Sequence, residues 1–376
     1  MGALRNEPAL RERVAVVCWR APQLQELALD VLLSLLGALL IVATILPAWK
    51  RQSWWVRGFD FPRLQIATAL LVVGMAHVAS VEPTPVARAF QAALAACLAA
   101  QLWRMAPYTR LARRQVQDSR RRDPRRDIRL LSANVLQDNR DAAALLALIE
   151  RTDPDVVLAI ETDRWWADAL EALARTHQHV VRHPLDNTYG MLLFSRLELV
   201  APQVRFLVEA DVPSIHAQVR LPSGRLVWLH CLHPRPPTPQ ESDSSEPRDA
   251  ELMILGREIE RRPGPAIVMG DLNDVAWSHT SHLFQRISGL LDPRVGRGFF
   301  NTFNAKNRLM RFPLDHFFHS GSFRLVDFRR LEAFGSDHFP VFIHLSYEPD
   351  AEEEQVPEPP APEDRQEARE KVGAVR

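Results

Sequence analysis

Cysteine and lysine are both scarce in this 376-residue sequence. The cysteines are Cys18, Cys97 and Cys231, of which Cys97 lies in an apolar run and Cys231 in a predicted strand. This placement does not build a disulfide framework, so no disulfide partner is expected. The sequence has no Cys-x-x-Cys and no His-Glu-x-x-His spacing, which argues against the common zinc sites. It also lacks the Gly-x-Ser-x-Gly elbow of α/β-type serine hydrolases.

The charges balance overall but are unevenly distributed. There are 46 basic and 46 acidic residues, and arginine supplies nearly all of the basic ones, which we interpret as the codon bias of a GC-rich bacterium. Arginines are concentrated in residues 110–126, whereas residues 348–376 are acidic and rich in proline. The zero net charge therefore does not exclude an anionic partner.

Three apolar runs occupy the first part of the chain, at residues 27–46, 64–81 and 86–103. The first is long enough to cross a bilayer and begins too far from the N-terminus for a signal peptide. The other two are weaker, but tryptophans near the ends of the runs are typical of membrane interfaces. We therefore predict up to three transmembrane helices within residues 1–109. One span with two peripheral helices is the alternative.

The basic residues between the runs predict how the chain is oriented. Lys50, Arg51, Arg57 and Arg63 separate the first two runs, and the basic linker 110–126 follows the third. With three spans both segments lie on one side, which the positive-inside rule makes cytoplasmic. The four arginines before residue 21 count against this orientation. We expect a multi-pass protein of the cell (inner) membrane with a cytoplasmic catalytic domain, and a linker that contacts anionic headgroups.

From Ile128 the pattern changes to short strand-like runs alternating with amphipathic helices. Strand-like runs recur at 189–194, 214–220, 225–232, 266–270, 314–318 and 339–346, and a helix is predicted at 247–261. This alternation indicates a layered α/β sandwich at 127–347, with a core that begins at Ile128. The acidic, proline-rich residues 348–376 are predicted to be a disordered tail.

Several predicted strands end in a carboxylate, an amide or an imidazole instead of a turn residue. These are Asn134, Glu161, His233, Asp271 with Asn273, Asp315, and Asp337 with His338. Each has an ordinary interpretation alone, such as an Asx-turn at Asp271 or a hydrogen-bonded structural histidine at His233. Together they would place carboxylates in one pocket without lysine partners, which is costly unless a cation binds there. Oxygen ligands of this kind favour Mg²⁺.

The order of these motifs resembles that of the endonuclease/exonuclease/phosphatase superfamily. The resemblance covers residues 127–347, and its strongest motifs are GDLND at 270–274 and GSDHFPV at 335–341. Supporting motifs are SANV at 132–135, AIET at 159–162, LHP at 232–234 and LDH at 314–316. The resemblance implies a deoxyribonuclease I-like fold of mixed α/β class, a four-layer β-sandwich flanked by helices.

The resemblance also implies a metal site. Glu161 would be the main ligand of Mg²⁺, or of Mn²⁺ in its place. Asn134 would lie in the same shell or on the phosphate, and Asp337 close to the ion.

For the chemistry, the resemblance implies in-line attack of water on phosphorus. Asp271 would orient or deprotonate the water, and Asn273 would hydrogen-bond the phosphate. His338 would contact the phosphate while Asp315 fixes its tautomer. His233 would stabilise or protonate the leaving oxygen, with His230 as the alternative.

The expected function is a membrane-anchored, metal-dependent phosphoesterase acting on a phosphodiester or phosphomonoester. Its substrate would be a lipid, a nucleic acid or an inositol-phosphate-like molecule. No basic-aromatic stripe in 127–347 argues specifically for nucleic acid. The alternative is a catalytically inactive membrane scaffold on the same fold, which would predict gaps in the catalytic set. The sequence has none.

Overall fold

The computed structural model describes residues 7–49, 51–120 and 123–375, which form two compact units. The first unit combines the described residues before position 50 with Arg63–Arg104. The second combines Arg51–Pro62 with the chain from Met105 onward. The predicted division at 109 and 127 therefore differs from the structure, because a segment between two of the apolar helices belongs to the second unit.

Ten α-helices and eleven β-strands lie in the described residues. The helices are α1 (Glu7–Ile45), α2 (Trp54–Arg57), α3 (Arg63–Ser80), α4 (Pro85–Met105), α5 (Ala142–Thr152), α6 (Arg164–Ala169), α7 (Glu246–Arg261), α8 (His279–Ser288), α9 (Ala351–Glu354) and α10 (Pro362–Gly373). The strands are β1 (Asp127–Asn134), β2 (Val156–Ile160), β3 (His179–His183), β4 (Met191–Ser195), β5 (Leu199–Arg205), β6 (Ser214–Arg220), β7 (Leu226–Leu232), β8 (Ala266–Asp271), β9 (Asp315–His319), β10 (Phe323–Arg330) and β11 (Val341–Tyr347).

The first unit contains α1, α3 and most of α4. Gln25–Ala48, Arg63–Ser80 and Pro85–Tyr108 are each long and apolar enough to cross a membrane, in agreement with the three predicted runs. Large apolar side chains face outward; Leu35 and Leu39, for example, are 65% and 62% exposed. Apolar surface of this extent normally marks an interaction or membrane-facing surface.

The buried polar groups of this unit are hydrogen-bonded to one another. His77 lies between Ser34 Oγ, at 3.4 Å, and Gln91 Nε2, at 3.2 Å. Gln101 accepts a hydrogen bond from Arg63 Nη1 at 2.9 Å and donates one to Thr44 Oγ1 at 3.2 Å. These contacts join the three helices through side chains that would be costly to bury alone.

The second unit is built on two β-sheets. The six-stranded sheet has the order β10-β11-β1-β2-β4-β3, and the five-stranded sheet has the order β5-β6-β7-β8-β9. Apolar side chains of both sheets pack into one core between them. The outer face of the first sheet is covered by α5 and α6, and that of the second by α7, α8 and α10. The predicted mixed α/β sandwich is therefore confirmed, with its layers in the order helix, sheet, sheet, helix.

Two parallel strand pairs determine where the polar strand ends meet. β1 pairs with β2, and β7 with β8, so the carboxyl ends of each pair lie at the same edge. The approach of β7 and β8 is so close at Gly270 that a Cβ there would lie 2.0 Å from the Leu232 carbonyl oxygen. Gly270 also has φ +138°, so glycine is required directly before Asp271.

The residues before β1 are not a solvated linker where the structure describes them. Tyr108 and Val116 are buried, with 1% and 0% exposure, and Tyr108 donates to the Ala276 carbonyl at 2.5 Å. The Gln117 carbonyl accepts from the Leu325 backbone N–H at 2.9 Å at the edge strand β10. Residues 105–120 thus belong to the second unit, and the expectation of a core that begins at Ile128 is corrected.

The tail also differs from its prediction, because α10 packs against α7 and α8. Ala368 and Val372, one turn apart, are buried in their core. Lys371 Nζ lies 2.8 Å from Asp249 Oδ2, and Arg286 binds Asp364 at 2.9 Å. An acidic composition favours disorder only where cationic partners are lacking. Here the basic partners lie far away in sequence.

We expect Lys371→Met to lower the melting temperature of the full-length protein by roughly 5–10 °C. The substitution leaves the buried Asp249 with fewer cationic partners, which costs about 2–3 kcal/mol. Differential scanning fluorimetry in detergent measures the shift. The control is Arg365→Ala on the same helix, whose exposed pair with Glu260 contributes about 0–1 kcal/mol. Equal shifts for the two variants would contradict the packed position of α10.

Candidate active site

Polar side chains from both sheets converge on one cavity of about 540 Å³ in the second unit. Six of the residues singled out from the sequence line it: Glu161, His233, Asp271, Asn273, Asp337 and His338. Asn134 and Asp315 lie directly behind two of these, in hydrogen-bond contact with them. The structure therefore brings together all eight residues that the sequence predicted for the site.

Asn134 at the end of β1 connects two carboxylates. Its Nδ2 donates to Glu161 Oε1 at 2.6 Å and to Asp271 Oδ2 at 3.3 Å. Burial raises the pKa of Glu161, and the hydrogen bond from Asn134 opposes that rise only in part. Glu161 also has a positive φ of 62°, an uncommon conformation that turns the chain just after β2. Such strained residues are concentrated at functional sites.

Asp271 lies beside Asp315, because the two are direct partners in the β8–β9 ladder. Burial raises the pKa of Asp271 to about 7, with the charges of Asp315 and Glu161 adding to the rise and His338 opposing it. The backbone N–H of Asn273 donates to Asp271 Oδ1 at 2.9 Å, which closes the turn that follows β8. A carboxyl group with this pKa can hold or release a proton near neutral pH.

His338 is fixed between two aspartates. Its Nδ1 lies 2.8 Å from Asp315 Oδ2, and its Nε2 lies 3.5 Å from Asp271 Oδ2. Burial by itself would lower the pKa of His338, but the charges of Asp315 and Asp271 outweigh it and raise the pKa to about 10. The imidazole is therefore a cation at neutral pH, with Nδ1 donating to Asp315.

The two histidines of the LHCLHP segment have different surroundings. His233 lines the cavity, with Nε2 3.9 Å from Glu161 Oε1, and burial lowers its pKa to about 3. His230 instead points to the other side of the sheet, where its Nδ1 lies 2.7 Å from Nδ1 of His216. The choice of His233 over His230 agrees with this geometry. His233 is a neutral imidazole that can donate or accept one hydrogen bond through each nitrogen.

The donors around the cavity suit a hard divalent cation. Glu161, Asp271 and Asp337 all line it, and none of the described lining residues is lysine or arginine. The Asp315 Oδ1 and His233 Nδ1 atoms are buried without a hydrogen-bond partner among the described residues. Asp271, Asp315 and His338 also offer three ligand atoms within 4.8 Å of one another. Oxygen-rich sets of this kind fit Mg²⁺ or Mn²⁺.

Arg248 was not named in the sequence analysis, and Ser336 was included there only as part of the GSDHFPV motif. Arg248 of α7 is buried, donates to the Asn273 carbonyl at 2.6 Å and pairs with Asp274 at 3.4 Å, so it holds the turn after β8. Ser336 donates to the Asn134 carbonyl at 2.8 Å and links the loop before β11 to β1. The available signal for Arg248 was a basic residue in the first turns of an amphipathic helix.

Comparison with known proteins identifies the family of the second unit. The model of the Endonuclease/Exonuclease/phosphatase family matches residues 131–338. No curated protein matches the sequence significantly.

Solved structures with a similar fold include an endonuclease/exonuclease/phosphatase from Beutenbergia cavernae, with 19% identity, 59% of this chain and 72% of that chain covered, and a TM-score of 0.48. The human Nocturnin catalytic domain has 18% identity, with 60% and 100% covered and a TM-score of 0.49. A mannosyl-6-phosphatase from Bacteroides thetaiotaomicron has 19% identity, with 58% and 100% covered and a TM-score of 0.46.

The His338–Asp315 pair yields a prediction that does not depend on any activity. In EDTA-treated protein, ¹⁵N NMR of the imidazoles should show His338 protonated at pH 8, in line with a pKa of about 10. Asp315→Asn removes the nearest negative charge, so the pKa should fall and the ring should be neutral at pH 8.

The control for this measurement is Asp127→Asn, which breaks the separate pair with His344, whose Nε2 lies 3.0 Å from Asp127 Oδ2. It should leave the His338 signal unchanged, and His338→Gln assigns that signal. A wild-type His338 that titrates near pH 6.5 would contradict the pairing.

Proposed function

The chain belongs to the endonuclease/exonuclease/phosphatase family, and we propose that it is a phosphoesterase that requires Mg²⁺ or Mn²⁺. The observation that carries the proposal is the meeting of the partly buried Glu161 and the buried Asp271 with the His338–Asp315 pair at one cavity. A set of carboxylates and one imidazolium can hold a cation, a water and a phosphate together. The ester is a phosphodiester or a phosphomonoester.

We assign the cation to Glu161, with Asn134 and Asp337 beside it. The alternative trio of Asp271, Asp315 and His338 is less suitable, because a protonated imidazole has no lone pair for a metal. The charge of Asp337 adds to the raised pKa of Glu161, so a cation between them would relieve this repulsion. A bound cation would polarise the phosphate and stabilise its developing charge.

Asp271 is the group best suited to orient and deprotonate the attacking water. It is buried, lines the cavity and has a pKa of about 7, close to the range in which a general base works best. Asn134 Nδ2 and the Asn273 N–H hold its two oxygens in place. The carboxylate therefore has one orientation relative to the cavity.

His338 and Asn273 face the position where the phosphate would bind. The His338 imidazolium can donate from Nε2 to a phosphate oxygen, while Asp315 holds Nδ1. The neutral His233, on the Glu161 side of the cavity, can donate to the leaving oxygen. Hydrogen-bond donors held in fixed positions are most effective where negative charge increases in the transition state, as on the phosphate and on the leaving oxygen.

We also propose that the protein is anchored in the membrane, with the three apolar helices as spans. Their length, composition and outward apolar side chains support this. Ultracentrifugation of cell lysates tests the proposal, since full-length protein should sediment with membranes until detergent is added. Full-length protein in the high-speed supernatant without detergent would contradict it.

The phosphoesterase proposal is tested by metal removal. The substrate panel is p-nitrophenyl phosphate, bis(p-nitrophenyl) phosphate, DNA, RNA and a phospholipid. At least one of these should be hydrolysed in about 5 mM Mg²⁺. EDTA should abolish that hydrolysis, because the acids alone do not neutralise the phosphate, and excess Mg²⁺ or Mn²⁺ should restore it. Full activity in EDTA would refute the proposed chemistry.

Substitutions of Glu161 and Asp271 should reduce activity in different ways. Glu161→Gln should raise the Mg²⁺ concentration for half-maximal activity about 10–100-fold, and excess metal should restore turnover in part. Asp271→Asn should lower kcat about 10²–10⁴-fold at every metal concentration. Glu241→Gln is the control, because Glu241 lines the same cavity but pairs with Arg235 at 3.1 Å. Near-normal turnover of Asp271→Asn would show that another group activates the water.

A further inference from the structure

The cavity also has apolar lining residues, which we call the apolar wall. Trp54, Phe61, Phe303, Phe312 and Leu314 line it, together with prolines of the 234–245 loop. Phe61 packs edge-on against Phe312, with 5.7 Å between the ring centroids. Hydrolysis of a phosphate ester does not itself require an apolar wall. The wall is therefore available to contact another part of the substrate.

Part of this wall comes from Arg51–Pro62, which is fixed to the second unit by backbone hydrogen bonds. The Trp54 N–H donates to the Asp243 carbonyl at 3.0 Å, and the Ser245 N–H donates to the Gln52 carbonyl at 2.8 Å. Trp277 Nε1 donates to the Asp60 carbonyl at 2.8 Å. The wall is therefore an ordered part of the cavity.

The same segment is the chain connection between α1 and α3. Each of these helices is long and apolar enough to cross a membrane. Trp54 and Phe61 thus lie only a few residues along the chain from the proposed spans.

The charge of the cavity argues against a polyanionic substrate. None of the described residues that line it is lysine or arginine, and nucleic acid recognition relies on such cations at successive phosphates. The cavity offers cation-assisted binding for one phosphate, and next to it a surface for hydrocarbon.

We propose that the substrate is an amphiphilic phosphate ester, whose phosphate binds at the carboxylate side and whose hydrocarbon chain packs against Trp54, Phe61 and Phe312. This rests on the proposed phosphoesterase function. Arg51–Pro62 then sets the substrate preference, although it lies far from the catalytic residues in sequence.

The test uses full-length protein in a fixed concentration of detergent and two soluble series with ethyl, butyl, hexyl and octyl chains. One series is alkyl p-nitrophenyl phosphates, and the other is alkyl phosphate monoesters. kcat/KM should increase by roughly tenfold or more from ethyl to octyl, because each methylene that leaves water favours binding up to about fourfold. Thymidine 5′-(p-nitrophenyl phosphate) is the nucleotide comparison.

Substitutions in the apolar wall test whether its residues cause the dependence of kcat/KM on chain length. Trp54→Ala should remove most of the dependence on chain length, because kcat/KM should fall much more for the octyl ester than for the ethyl ester. Trp55→Ala, on the same helix but not lining the cavity, should behave like wild type. Gly58→Phe is a second variant: Gly58 lines the cavity in a right-handed helical conformation, and a Cβ there meets no atom within 4 Å. It should reduce octyl-ester turnover more than ethyl-ester turnover.

The outcomes separate the two proposals. Hydrolysis that is independent of chain length, or fastest with the thymidine ester, overturns the amphiphilic substrate and leaves the phosphoesterase standing. A chain-length effect that Trp54→Ala and Gly58→Phe both preserve overturns the role of this wall. Hydrolysis of neither series, nor of the thymidine ester, nor of any substrate in the panel above, with Mg²⁺ or Mn²⁺ present, overturns the proposed function itself.

Discussion

The concentration of negative charge at one edge of the two sheets is the constraint on which the site depends. Asp271 and Asp315 are buried partners in the β8–β9 ladder, and the cation His338 lies beside both of them. Glu161 is partly buried and shares the donor Asn134 with Asp271. Buried carboxylates repel one another strongly and lose hydration, so each needs a donor or a cation. Asn134 and the Asn273 N–H supply donors, and His338 supplies one positive charge. The raised pKa values of Glu161 and Asp271 show that this compensation is incomplete without a further cation.

A second buried network keeps these groups in position from behind. Arg248 binds Asp249, Asp274 and the Asn273 carbonyl, and Lys371 of α10 also binds Asp249. Here the charges balance within the network, and burial does not prevent the pKa of Asp249 from lying well below its usual range. The rigid turn after β8 thus depends on a helix at the far end of the chain. The site and the C-terminal region form one structural unit.

The parts of this protein that follow from local pattern were predictable from its sequence. The strands that end at or just before Asn134, Glu161 and Asp271 are mainly apolar runs followed by a polar residue, and a buried parallel strand has this pattern. The edge strands β3, β5 and β10 were not predicted. They are partly exposed and mixed in composition, so apolar and polar residues do not alternate along them regularly enough to indicate a strand. The helix α10 was missed because its partners are distant in sequence. Whether each site residue performs its proposed role stays a prediction.

The wall formed by Arg51–Pro62 shows why a sequence motif indicates the chemistry better than it indicates the substrate. The family match spans 131–338, but Trp54 and Phe61 lie outside it. Their aromatic side chains beside an apolar run have the same pattern whether they lie at a membrane interface or line a cavity, so composition cannot separate the two uses. The segment is fixed by backbone groups and by Trp277, and these hydrogen bonds do not involve the side chains that face the cavity. Those side chains can therefore change with the substrate while the fold is kept, whereas the carboxylates at the strand ends cannot.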